Sequence, residues 1–91
     1  MIIEFDLAKS ERNARIRDLP FERASEFDWE TAIYWEDTRT AYGERRFVAL
    51  GYLDIRLHLI CFTHISKGVR IISFRKANSR EIRRYEIETT Y

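Results

Sequence analysis

Three runs rich in β-branched and aromatic residues, 45–53, 56–65 and 69–77, follow one another with almost nothing between them. Such residues suit the pleated, half-buried surface of a sheet. Their connections, Asp54 with its neighbours and Ser66-Lys67-Gly68, are too short for a crossover helix and fit tight hairpins. An antiparallel meander follows. Before it, Ile2–Phe5 reads as a short strand, and Asp6 as the N-cap of a helix reaching about Arg17. Pro20 opens a second helix whose Phe21, Ala24 and Phe27 recur at helical spacing. Trp29 to Trp35 reads as extended and Asp37 to Gly43 as a polar loop. Asn78, with Glu81 three residues on, starts a last helix with a capping box. At 91 residues the expectation is one α+β domain over 1–91. It places two N-terminal helices on a small antiparallel β-sheet, with a C-terminal helix.

Charge is distributed unevenly. Residues 1–37 carry five bases against ten acids, −5, and the remainder eleven against five, +6. From Lys67 to Arg84 there are seven cations (Lys67, Arg70, Arg75, Lys76, Arg80, Arg83, Arg84) and one acid, Glu81, again +6. A segment of that kind is either a solvated face or a grip for a polyanion. In the last helix Arg80, Arg83 and Arg84 share an arc of roughly 100°, while Ile82 and Tyr85 point the other way, toward the sheet.

Several chemistries find no residues to carry them. There is no run of about 18 apolar residues to span a membrane. The opening, with Glu4 and Asp6, lacks the basic-then-apolar pattern of a secretory signal. Cys61 has no second cysteine to pair with, so a reducing cytoplasmic setting is expected. His58 and His64 share a strand face about 20 Å apart, too far for one metal. No phosphate-binding glycine loop or serine-nucleophile motif occurs, and no cofactor is expected.

Cleavage of RNA through its own 2′-hydroxyl needs only a base, an acid and cations for the developing phosphorane charge, all available from side chains. With a Ser66-Lys67-Gly68 loop, His58 lies opposite Lys76; with Ser66-Lys67 alone, it lies opposite Arg75. Glu81 reads as a proton acceptor or as a capping residue. Trp29, Tyr34, Trp35 and Tyr42 are candidates for stacking on unpaired bases, Tyr42 being the freest by its place in a polar loop.

An ordered series of fragments resembles the BrnT family of toxins from type II toxin–antitoxin pairs. The series comprises Phe5-Asp6, Lys9 and Asn13; Phe21 and Ala24; Asp37, Arg39 and Tyr42-Gly43-Glu44-Arg45-Arg46-Phe47, with Gly51; then Arg70 to Ala77, Arg80-Glu81 and Tyr85-Glu86. The resemblance implies a RelE-like fold and a small ribonuclease that arrests translation and growth. It also implies neutralisation by a BrnA-like ribbon-helix-helix antitoxin, through which alone operator DNA would be engaged. On this reading Arg46, Arg75, Lys76 and Arg80 hold the scissile phosphate, and Glu81 or His58 moves protons without a metal. Lys9, Arg12, Arg70, Arg83, Arg84 and Tyr42 would contact the rest of the RNA. The chain departs from the family pattern at Phe5, where tryptophan is usual, and at Phe74, where alanine is usual. It also departs at Ile16-Arg17-Asp18, where Lys-His-Gly is usual. The last change motivates an alternative: a weakened homologue that binds RNA or antitoxin without turnover. A third reading is a purely structural partner whose basic face docks an acidic antitoxin segment.

Overall fold

A computed structural model describes residues 1–39, 41 and 43–90. It has five strands: β1 (Ile2–Phe5), β2 (Ile33–Glu36), β3 (Phe47–Leu53), β4 (Arg56–Ile65) and β5 (Gly68–Lys76). Two α-helices, α1 (Leu7–Arg17) and α2 (Ser79–Thr89), and a 3₁₀ segment over Phe21–Glu26 complete it. The strands form one sheet in the order β1-β5-β4-β3-β2.

The expected layout of two N-terminal helices on a small antiparallel sheet is overturned on two counts. First, the sheet is mixed and dominates the molecule: β1 pairs with β5 in parallel, while the other pairings are antiparallel. Gly68 makes the parallel pairing possible, because a Cβ there would lie 1.9 Å from the Ile2 carbonyl oxygen. Second, only one N-terminal α-helix forms. Asp6 caps α1 by accepting from Lys9 N at 3.1 Å. After Pro20, however, six residues of tight turns bury Phe21 and Ala24 and then stop, bonded Arg23 N to Pro20 O and Phe27 N to Ala24 O. Pro20 can start such a turn, but six residues are too few to sustain an α-helix without a longer apolar stripe.

Both sheet faces are covered, unequally. On one face α1 and the 3₁₀ segment enclose the larger core, with Phe21, Phe27, Ile60, Phe62, Ile71 and Phe74 at its centre. On the other, Ile82 and Tyr85 of α2 pack on Val48, Leu50, Leu57 and Leu59. The Tyr85 hydroxyl donates to the Thr31 carbonyl at 3.1 Å, so its polar end is satisfied. Ser10, 1% exposed, links α1 to the 3₁₀ segment: its Oγ accepts from Phe21 N and donates to Glu22 Oε1, each at 2.8 Å.

The β4–β5 hairpin contains the decisive irregularity. Ile65 pairs with Gly68, so the turn is Ser66-Lys67 alone, with Lys67 at φ 65°. That turn would set Arg75 opposite His58. A bulge opposite Cys61 and Phe62 absorbs Ile72, and beyond it His58 pairs with Lys76 and Leu59 with Arg75.

Candidate functional site

Arg75 emerges from β5 on the α2 side of the sheet, beside Leu59. There the first turn of α2 meets it. Asn78 Oδ1 accepts from Glu81 N, and Glu81 Oε1 accepts from Asn78 N, both at 2.9 Å, closing the capping box. The same carboxylate accepts both ends of the Arg75 fork, Nη1 to Oε1 and Nη2 to Oε2, each at 2.8 Å. The Arg75 pairing, reinforced by the cap, holds the Glu81 carboxyl below its ordinary range. Glu81 is therefore a carboxylate at neutral pH, an acceptor and not an acid. Arg80 adds its field to Glu81 from the exposed side of the same turn.

A second arginine faces the same cleft of about 290 Å³ from the end of β2. The Asp37 side chain is 2% exposed and takes Arg39 in a fork, Nε to Oδ1 and Nη2 to Oδ2 at 2.8 Å each. Arg39 itself is 81% exposed. Arg46, just before β3, is half-buried and pairs loosely with Glu44 at 3.6 Å. Alternation along β3 puts it on the same face as Val48. The half-buried Cys61 thiol lies between these charges, and burial pushes its pKa up.

So of the residues expected to act on the phosphate the structure brings together Arg75, Arg80 and Glu81, while Arg46 lies on the same sheet face, where its carbonyl accepts from Asp37 N. It separates Lys76 and His58 from them. Both point to the α1 side, where His58 is 5% exposed and its ring packs 5.7 Å from Phe74. Nδ1 of His58 is 2.8 Å from the Arg56 carbonyl, which fixes that nitrogen as the protonated one. Burial, above all, pushes the His58 pKa down, so the ring is neutral at pH 7. It cannot exchange protons with a group on the Arg75 fork, because the sheet lies between them.

The expected RNA contacts divide similarly. Lys9 and Arg12 line a cleft of about 370 Å³ between α1 and the outer edge of β5, together with Arg17, Ser73 and Arg75. Asn13 ties the walls together, donating to Leu19 O at 2.7 Å and Phe74 O at 2.9 Å. Arg70 is occupied elsewhere, with Glu4 of β1 at 3.4 Å. Arg84 lies 3.7 Å over the Trp35 ring and pairs with Glu88, while Arg83 sits beside Ile87 on the outer face of α2. Tyr42 lies outside the described residues. Trp29 is a core edge, its indole N–H donating to Ala24 O at 2.9 Å. Tyr34, half-exposed, donates to the Trp29 carbonyl.

Sequence reasoning gave no role to the Asp37–Arg39 fork. The available signal was an acid at a strand end with an arginine two residues on, but nothing local says that the acid is buried. The departure at Ile16-Arg17-Asp18 also becomes intelligible. Asp18 is the C-cap of α1 at φ 55°, ψ 39°, a left-handed position that glycine fills most easily and aspartate tolerates.

Among the described residues no group of three or more His, Cys, Asp or Glu side chains is placed to hold a metal ion, and no helix is long and apolar enough to cross a membrane. A search of curated proteins gives no match. The family model for the ribonuclease toxin BrnT of type II toxin–antitoxin systems matches residues 5–81, a span that runs from β1 through both clefts to Glu81. With most of its length matched, and the fragments that suggested the resemblance lying within or beside that span, the chain belongs to the BrnT family of ribonuclease toxins.

Proposed function

We propose that the chain cuts RNA by attack of the substrate's own 2′-hydroxyl, without a metal ion, at the cleft between β5 and the start of α2. The observation that carries this reading is the Arg75–Glu81 fork, with Arg39 lining the same cleft and Arg80 on the same turn as Glu81. A phosphate has the same planar complementarity to guanidinium as the carboxylate it would displace. Once displaced, Glu81 loses the partner that depresses its pKa and gains an anion next to it. Both changes raise its proton affinity and turn a spent ion-pair partner into a general base for the 2′-hydroxyl; the 2′-oxygen bonds to phosphorus as the P–O5′ bond breaks, and the proton taken up by Glu81 passes to the departing 5′-oxygen. Arg75, with Arg39, Arg46 and Arg80, then faces the charge that builds on the phosphorane. The family implies an RNA substrate and an antitoxin partner. We take the antitoxin to be a BrnA-like ribbon-helix-helix protein, the only route to operator DNA, and the outcome to be arrest of translation and growth in the cytoplasm.

A second reading is binding of RNA or antitoxin without turnover. It is favoured by Ile16, 72% exposed where the family usually carries lysine. The two readings part in one assay: purified protein with RNA and excess chelator. Cleavage products that vanish in Arg75→Ala support the first reading; intact RNA with salt-sensitive retention supports the second. Chelator-sensitive cleavage would dismiss the metal-free mechanism.

A further inference from the structure

The cation-lined clefts form a connected series. Arg75 borders both the α2-side cleft and the α1-side cleft. Arg17 borders the latter and two further hollows at the end of β5, and Lys76 borders both of those. His58 and Arg56 line the far end. The path thus crosses the sheet at its open edge: β1 pairs with β5 only as far as Ile71, and among the described residues no strand covers Ile72–Lys76 on that side. Lys9, Arg12, Arg17 and Lys76 have no carboxylate within 4.0 Å among the described residues, unlike Arg23, Arg45, Arg70 and Arg84. Their charge is available to a ligand.

We infer that Arg17 and Lys76 form a second phosphate-binding subsite on the sheet face opposite the Arg75 cleft. It is filled by the same RNA molecule, which passes between the two as a single strand over the β5 edge. The inference rests on the reading of RNA as substrate. Single-strandedness follows from geometry. Neighbouring residues 75 and 76 point to opposite faces, so the ligand must turn around one strand's width. A duplex, with a persistence length of about 150 base pairs, cannot follow that bend; an unpaired chain can. Exposed Ile16 adds an apolar contact for a base beside Arg17.

The test is the salt dependence of binding to an unstructured 2′-O-methyl RNA of about 12 nucleotides, which cannot be cut through its 2′-hydroxyl. Removing two phosphate contacts to a single strand lowers the slope of log K against log[salt] by about 1.4. That loss is expected for R17A/K76A. R15A removes a single charge from the helix that carries Arg17, outside the clefts, and should keep the wild-type slope. If melting shows the double variant unfolded, K76Q alone should lose about 0.7. An unchanged slope in R17A/K76A, or a loss of about 0.7 in R15A, overturns the inference. So does a result in which R17A/K76A keeps RNA affinity but loses affinity for polyglutamate, since the subsite would then hold an acidic polypeptide. Failure of the ribonuclease reading appears separately, as wild-type protein that leaves 2′-hydroxyl RNA intact.

Discussion

Glu81→Gln separates the two jobs assigned to one carboxylate. Gln keeps an oxygen for the Asn78 N–H, so the capping box survives. It loses the charge and turns an amide donor toward the Arg75 fork. The pair is partly shielded, with side-chain exposures of 33% for Arg75 and 18% for Glu81. Its loss should therefore cost more than a surface pair at about 0.2–1 kcal/mol and less than a buried one at about 3–5. A value of about 1–2 kcal/mol corresponds to a fall in Tm of about 4–16 °C for a domain of this size. The difference should depend on pH. The folded carboxyl titrates below its ordinary value of 4.5, so its stabilising contribution is complete above that pH and is lost as the pH falls through the folded value. The gap between wild type and variant should then close in acid. In single-turnover cleavage, loss of a general base predicts a fall of about 10²–10⁴-fold, while freeing Arg75 should tighten binding of 2′-O-methyl RNA. Cleavage within threefold of wild type would refute the proton-transfer role. A stability gap that stays constant down to acid pH would refute the ion pair as its source.

Four further outcomes are expected. Arg75→Lys keeps the charge but not the fork, and single-turnover cleavage should fall about 10²-fold while the melting profile stays cooperative. Gly68→Ala puts a Cβ 1.9 Å from Ile2 O, so β1 must detach; urea denaturation should show a loss above about 2 kcal/mol. Ser10→Ala leaves the buried Phe21 N–H without its acceptor, and the same measurement should show about 1–3 kcal/mol lost. NMR titration of His58 should give a pKa below its ordinary 6.5, with the Nδ1-protonated tautomer at pH 7. Its burial costs no stability above pH 6.5 and makes the fold progressively less stable as the pH drops from there through the folded value.

Much of the fold could be read from local chemistry. The three runs of β-branched and aromatic residues became β3, β4 and β5, Asp6 and Asn78 became caps, and Ile82 and Tyr85 became the docking face of α2. Those features depend on neighbours within a few residues. The missed parts depend on distant ones. The partner of β1 is set by Gly68, more than sixty residues away, whose missing side chain signals close approach only once the approach is known. The second helix failed because Phe21, Ala24 and Phe27 fit a helical period over too short a run. At the site, Glu81 was legible as a cap and as the lone acid among cations, and both readings describe the same atom. Asp37 was not legible as the buried anchor of Arg39, since burial belongs to the assembled cleft.

The bulge at Ile72 connects fold and site. Along β5 the side chains that enter the α1-side core are Val69, Ile71 and Phe74, two odd positions followed by an even one. A regular strand alternates faces strictly, so no unbroken strand can bury all three on one side. One extra residue between Ile71 and Ser73 resolves the conflict by resetting the alternation. The same reset fixes the charges. With the two-residue turn and no bulge, Arg75 would stand opposite His58 on the α1 side, and Phe74 would face α2. With the bulge, Arg75 reaches Glu81 and the cleft below Arg39, while Lys76 takes the position beside His58 and Arg17. Packing of one phenylalanine therefore determines which cation meets the capping carboxylate. The bulky Phe74, at a position where the family usually has alanine, fills that core at 1% exposure and makes the shifted register the one in which apolar surface is buried.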